Sequence, residues 1–134
     1  MSTFDELDQY LTPDYQIDYW SDYAIDHATE LIDQLNQDDW TRLEKTWMTK
    51  EPGWQVRLAD GAFGSDKSRV VALLSDMLKS SDLRVALAAL ESLEARDDAT
   101  TLDASLHPCL ERLLEQTEGT YRQMIEGLIS RIQK

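Results

Sequence analysis

The sequence has little of several features that would define its class. It contains one cysteine, Cys109, so it forms no intramolecular disulfide, and no second cysteine is spaced for a zinc site. Its longest uninterrupted apolar run, the six residues from Val85 to Leu90, is far below the ~18 that a membrane span needs. Five glycines and three prolines exclude collagen-like and low-complexity chains, and no secretory signal is readable at the start. We therefore expect one folded domain over residues 1–134, without a membrane span, in the reducing cytoplasm.

Basic residues are absent from the first 41 positions. This segment holds eleven Asp and Glu and no Lys or Arg, and so carries −11 of the formal net charge of −13. It also holds seven of the eleven aromatic residues, unlike the aromatic-poor composition of an acidic disordered tail. The negative charge disfavours direct binding to nucleic acid and favours a basic protein partner. We expect the N-terminal third to fold and to present an acidic surface.

The apolar residues predict an all-α domain. Leu and Ala total thirty residues against ten Val and Ile, and apolar positions recur at intervals of three and four. We expect six or seven helices, with acidic, aromatic N-terminal helices over residues 1–38 and paired helices over 39–134. The chain is predicted to be irregular over 13–20 because Pro13 ends the first helix. The predicted N-terminal caps of the first three helices are Thr3, in a capping box with Glu6, then Ser21, and then Asp38 or Asp39.

Further helices are expected in the C-terminal two thirds. They are predicted from Trp54 to Gly61 or Gly64, over 67–79, from Leu83 to about Arg96, around Leu106 to Leu114, and over about 120–133, with a loop at Asp97 and Asp98. The helix that begins at Leu83 is apolar on most faces, which predicts a central position between neighbouring helices.

Three of these helices begin with similar residues. Val56-Arg57, Val85-Ala86 and Tyr121-Arg122 each follow a break after a helix rich in Leu, Met or Trp. This pattern resembles the HEAT repeat over residues 39–134, although Ala86 replaces the usual Arg in the middle unit. The resemblance implies short, irregular, antiparallel helix hairpins stacked in one domain, and an irregular helical bundle remains the alternative.

The whole chain also resembles the immunity proteins of bacterial polymorphic toxin and contact-dependent growth inhibition systems. The resemblance rests on small size, acidity, the Val-Arg units and four tryptophans, which are Trp20, Trp40, Trp47 and Trp54. It implies a monomer that forms a heterodimer with a cognate basic toxin domain, often a nuclease, and blocks its active site without catalysis or cofactor. The alternative is an acidic HEAT-like adaptor or scaffold, or a DNA mimic, that binds another basic protein.

The candidate partner-binding residues lie in the N-terminal third. Acidic residues at intervals of three and four share one helix face, which is either a solvated surface or a binding surface. The neighbouring aromatic residues either anchor a partner or pack across the first helix pair, whereas the other three tryptophans are expected in the core. The candidates are Tyr15, Asp18, Tyr19, Trp20, Asp22, Asp26, Glu30 and Asp33.

Catalytic and metal sites are not expected. His27 lies beside the acidic face, but no second copy of such a cluster exists to complete a metal site. His107 and Cys109 are two residues apart at a helix start, where their side chains diverge. The pair Gly61 and Gly64 lacks the lysine and the preceding strand of a phosphate-binding loop. The sequence therefore predicts a binding protein and no enzyme.

Overall fold

The structure, a computed structural model, describes residues 2–65, 67–96, 98–99 and 102–132. These residues form an all-α domain, as predicted. If residues 17–33 are counted as one helix, the described chain has eight helices rather than six or seven. The elements are α1 (Thr3–Leu11), α2 (Ile17–Tyr19), a π-helical turn (Trp20–Ala24), α3 (Ile25–Asp33), α4 (Gln37–Thr46), a 3₁₀ turn (Trp47–Thr49), α5 (Pro52–Phe63), α6 (Arg69–Met77), α7 (Leu83–Ala95), a 3₁₀ turn (Ala104–Leu106), α8 (His107–Gln116) and α9 (Gly119–Ser130).

The helices are arranged as stacked antiparallel pairs. Helices α1 and α3, α6 and α7, and α8 and α9 pack against each other, and α3, α5, α7 and α9 form one continuous layer. Within that layer the Thr29 hydroxyl donates to the Gly61 carbonyl at 2.7 Å, and the Ser92 hydroxyl donates to the Ala59 carbonyl at 2.8 Å. The layer includes α3, so the N-terminal helices continue the stack rather than forming a separate unit.

Helix α7 lies at the centre of the core. It packs against α5, α6 and α9, and its buried positions occupy most of its circumference. Leu90 is fully buried, as the apolar pattern predicts, although Leu83 at the helix start is 38% exposed. Trp40, Trp47 and Trp54 are also buried, which confirms their expected place in the core.

The N-terminal caps of two helices differ from the predicted ones. Helix α1 is capped by Ser2, whose hydroxyl accepts a hydrogen bond from the backbone N–H of Asp5 at 3.1 Å, so the predicted cap at Thr3 is wrong. Helix α4 is capped by Asn36, and the Asn36 backbone N–H donates to the Asp39 carboxylate at 3.2 Å. Asp39 therefore completes a capping box but is not the cap itself.

The segment predicted to be irregular is partly helical. Residues 17–20 are helical, since α2 begins after Gln16 and runs without a break into the π-helical turn. Ser21 therefore lies inside a helical segment and is not an N-cap. The π-helical turn is shown by the Ile25 backbone N–H, which donates to the carbonyl of Trp20 five residues earlier.

Two other predicted boundaries also change. Helix α5 begins at Pro52 rather than Trp54, and the missing N–H of Pro52 is tolerated in the first turn. Of the two predicted ends, Gly64 is confirmed as the C-cap and Gly61 lies within the helix. A Cβ atom on Gly61 would lie 3.1 Å from the Cβ of Ala28, so the glycine permits the close approach of α5 and α3. Helix α9 ends at Ser130. Asp97 and residue 133, which the sequence places in a loop and in the last helix, lie outside the described residues.

Candidate protein-binding site

Four of the five acidic candidates after α1 lie on one exposed surface. Asp18, Asp22, Asp26 and Glu30 are exposed along residues 17–33, and together they are called the acidic stripe below. The fifth, Asp33, is half-buried and accepts a hydrogen bond from the Ser65 hydroxyl at 2.5 Å. Asp33 therefore joins α3 to the end of α5 and has a structural contact that the stripe residues lack.

Basic residues later in the chain neutralise three of the four acids that precede the stripe, and Glu6 is the exception among the described ion pairs. Arg42 lies 3.0 Å from Asp5, and Lys50 lies 2.9 Å from Asp8. Arg57 lies 3.8 Å from Asp14.

The acidic stripe has no such compensation within the described chain. There, Asp18, Asp22 and Asp26 form no ion pair, and Glu30 contacts only His27, at 3.4 Å. The stripe therefore places four carboxylates without a Lys or Arg partner on one helical segment. Within the described chain, Glu6, Asp33, Asp38 and Asp39 also form no ion pair, but they lie outside the stripe.

Exposed aromatic and aliphatic side chains lie beside the acidic stripe. Tyr19 is 54% exposed, Tyr23 is 71% exposed and Ile17 is 81% exposed, and these three residues are called the exposed patch below. The rings of Tyr19 and Tyr23 have centroids 5.8 Å apart, so they support each other at the surface. Ile17 and Tyr23 were not predicted as site residues, although Tyr23 lies one helical turn after Tyr19 in the sequence.

Tyr15 supports the exposed patch from below. Its ring stacks on that of Tyr19 with centroids 6.0 Å apart, and its hydroxyl donates to the backbone carbonyl of Tyr10 at 2.8 Å. The hydroxyl of Tyr10 in turn donates to the carbonyl of Ala24 at 3.1 Å. These bonds hold the segment before α2 against the first helix pair, which is the packing alternative that the sequence left open for this segment.

Trp20 differs from the exposed anchor that the sequence suggested. Its side chain is only 6% exposed, and its indole N–H donates to Asp60 Oδ2 at 3.1 Å. The indole therefore packs the π-helical turn against α5. Trp20 is therefore not a free surface anchor. The exposed patch is the surface available to a partner, and Tyr19 is its one member that the sequence also predicted.

A cleft of about 380 Å³ lies between the π-helical turn and helices α5 and α7. The described residues that line it include no Lys or Arg, and it is called the carboxylate cleft below. Its main lining residues are Trp20, Ile25, Asp60, Phe63, Glu91 and Ala95.

Asp60 is the most perturbed group in the carboxylate cleft. Burial raises the pKa of its carboxyl to about 6, because removal from water disfavours the charged form. The nearby charge of Glu91 raises the pKa further, whereas the Trp20 hydrogen bond and the charge of Arg57 lower it. Glu91 itself accepts a hydrogen bond from the Tyr121 hydroxyl at 2.7 Å. The sequence did not predict this pair, because its members lie on different helices.

Comparisons with known proteins leave the site to be interpreted from its geometry. No family model, curated protein or solved structure matches this chain. Within the described residues, no three His, Cys, Asp or Glu side chains are grouped to hold a metal ion. None of the described helices is both long and apolar enough to cross a membrane. The candidate site consists of the three features described above: the acidic stripe, the exposed patch and the carboxylate cleft.

Proposed function

We propose that this protein is an immunity protein that binds a basic toxin domain of the nuclease class and neutralises it by covering its active site. The protein is a cytoplasmic monomer that forms a heterodimer with the toxin, and it acts without catalysis or cofactor. The acidic stripe approaches the surface on which the toxin would hold nucleic-acid phosphates. The exposed patch supplies the apolar contact next to it.

The observation that carries this proposal is a difference in ion pairing between two groups of acidic side chains. Asp5, Asp8 and Asp14, on and just after α1, are paired with basic side chains. The acidic stripe has no Lys or Arg partner in the described structure. Unpaired charge of one sign concentrated on a surface raises the association rate with an oppositely charged protein by roughly 10 to 10³-fold. Fast association suits an inhibitor that must act before a toxin does damage.

Exposed tyrosines next to the stripe support a protein partner over a purely solvated face. Tyrosine is enriched at the centre of protein interfaces, where its ring is buried and its hydroxyl forms a hydrogen bond. Tyr19 and Tyr23 are the described tyrosines with the largest exposed fractions. A solvated face requires charge but does not require two exposed rings in contact beside it.

The test is rescue of growth. The protein is co-expressed with candidate toxin domains, beginning with the product of the neighbouring gene, and growth is measured. A variant with Asp18→Lys, Asp22→Lys and Asp26→Lys should lose rescue. The matched control, with Glu111→Lys, Glu115→Lys and Glu118→Lys, changes the net charge equally at exposed positions of α8 and the following turn. Equal loss in both variants would show that net charge, and not the acidic stripe, matters.

The alternative is an acidic adaptor, scaffold or DNA mimic that uses the same surface. It predicts capture of a basic protein that is not toxic, for example a DNA-binding protein, and no rescue by the unaltered chain. Isolation of the partner by affinity purification separates the two functions, because each names a different class of basic protein.

A further inference from the structure

We propose that the carboxylate cleft receives one arginine side chain of the basic partner. This inference rests on the proposed function and deepens it, since it names the partner group that this surface recognises. The cleft adjoins the helical segment that carries the acidic stripe, because Trp20 and Ile25 form one of its walls. A partner guided by the stripe would therefore meet the cleft in the same encounter.

The shape of the cleft suits a long, flat side chain. Its volume of about 380 Å³ exceeds that of a single water site and is open to solvent, and aromatic rings contribute to two of its walls. Phe63, from the end of α5, is 46% exposed, whereas Trp20 is almost buried. A guanidinium group stacks on aromatic rings while its stem contacts apolar atoms, which the cleft supplies through Ile25 and Ala95.

The charges in the cleft select a cation. Asp60 accepts one hydrogen bond, from Trp20, on Oδ2, and in the described structure Oδ1 has no hydrogen-bond donor. Because no buried side-chain oxygen in the described part of the chain lacks a partner, Oδ1 must reach solvent. Asp60 lines both the carboxylate cleft and a neighbouring pocket that contains Arg57 and Arg84. Glu91 brings a second carboxylate from α7 to the same space, with one oxygen bonded to Tyr121. Each carboxylate therefore retains an oxygen that can accept from a cation.

Arginine fits this arrangement better than lysine. A guanidinium has five N–H donors in a plane and can donate to two carboxylates at once, whereas an ammonium is a compact and strongly hydrated point charge. The raised pKa of Asp60 also reflects the absence of a close compensating cation, since Arg57 lowers it only as the smallest contribution. The charged groups that shift the pKa of Asp60 are Glu91 on α7 and Arg57 on α5. Arg84 on α7 and Asp14 line the neighbouring pocket that Asp60 also lines. A bound guanidinium would lower the pKa of Asp60.

The probe is a five-residue peptide with a central arginine between glycines, titrated into the full-length, ¹⁵N-labelled protein. The reporter is the Trp20 indole N–H signal in NMR spectra, assigned by its loss in Trp20→Phe, because this group contacts Asp60 directly. We expect the arginine peptide to shift this signal, the equally charged lysine peptide to bind more weakly, and the neutral citrulline peptide to have no effect. Affinity should also fall as the pH is lowered from 7.5 to 5, because Asp60 becomes protonated.

The decisive variant is Asp60→Asn, which keeps an acceptor for the Trp20 N–H but removes the charge. We expect it to weaken binding of the arginine peptide about tenfold, equivalent to ~1.4 kcal/mol. Asp76→Asn, an exposed substitution on α6 that removes the same charge, should leave the affinity unchanged. Equal weakening by both variants, or an unmoved Trp20 signal at saturation, would overturn the proposal. The peptide result concerns the cleft alone, whereas failed growth rescue concerns the proposed function.

Discussion

Substitution of Asp60 by Asn should make the stability of this protein less dependent on pH. The pKa of the Asp60 carboxyl is about 6 in the folded protein, against 3.8 for an unperturbed aspartate. Between these values the folded state binds more protons than the unfolded state, so the free energy of unfolding falls as the pH rises. The difference in pKa corresponds to about 3 kcal/mol, at ~1.36 kcal/mol for each pKa unit. Because Asp60 Oδ1 contacts solvent, we expect the measured loss to be about 1 to 2 kcal/mol.

The assay is urea denaturation of the wild type and Asp60→Asn at several pH values from 4 to 7.5. All other acids are common to both proteins, so the difference between their unfolding free energies isolates Asp60. That difference should favour Asp60→Asn increasingly as the pH rises through 6 and should be constant above about 7. Asp76→Asn serves as the control and should follow the wild type. A difference that does not change with pH would refute the reasoning that burial without a close cation raises the pKa.

Three further predictions follow from the core, a turn and the surface. Leu90→Ala should lower the free energy of unfolding by about 2 to 5 kcal/mol in a denaturant melt, because Leu90 is fully buried in α7. A loss of unfolding free energy below about 0.5 kcal/mol would place Leu90 at the surface. Gly119→Ala should cost about 1 kcal/mol in the same assay, since Gly119 has a φ of +64° that a Cβ disfavours. Tyr23→Ala should speed dissociation of the complex with the proposed toxin without changing thermal stability, because the ring is exposed. A changed melting temperature would instead indicate a packing role.

Helix content and the central helix were predictable because they depend on local, repeated patterns. The spacing of apolar residues in α7 is visible within fourteen positions, and burial follows from it directly. The buried tryptophans of α4 and α5 were also predictable, since large apolar side chains at helical spacing pack in a core. These features need no knowledge of which helices become neighbours.

The exact caps of α1 and α4 were less predictable because each predicted cap lies close to a second residue able to serve. Ser2 and Thr3 are adjacent, and both side chains accept hydrogen bonds from a backbone N–H. Asn36 and Asp39 likewise both belong to the cap of α4. The choice between them depends on the helix register that buries residues such as Phe4 and Leu43, and that register is set by the rest of the core.

The features of the candidate site depend on contacts between distant residues. Trp20 is turned inward by a hydrogen bond to Asp60, which lies forty positions later. The ion pair between Arg42 and Asp5 likewise removes charge that the sequence assigned to an undivided acidic segment. Composition predicted an acidic, aromatic surface in the N-terminal third, but only the packing separates its paired acids from the unpaired stripe.

The most direct test of the account is the association rate between this protein and the proposed basic toxin domain, measured by surface plasmon resonance at low and high salt. The acidic stripe predicts that Asp18→Lys, Asp22→Lys and Asp26→Lys together slow association and reduce its dependence on salt. The control with Glu111→Lys, Glu115→Lys and Glu118→Lys should retain most of the wild-type rate. Association of the stripe variant at the wild-type rate in low salt would contradict the account and would place the interface on another face of the helical stack.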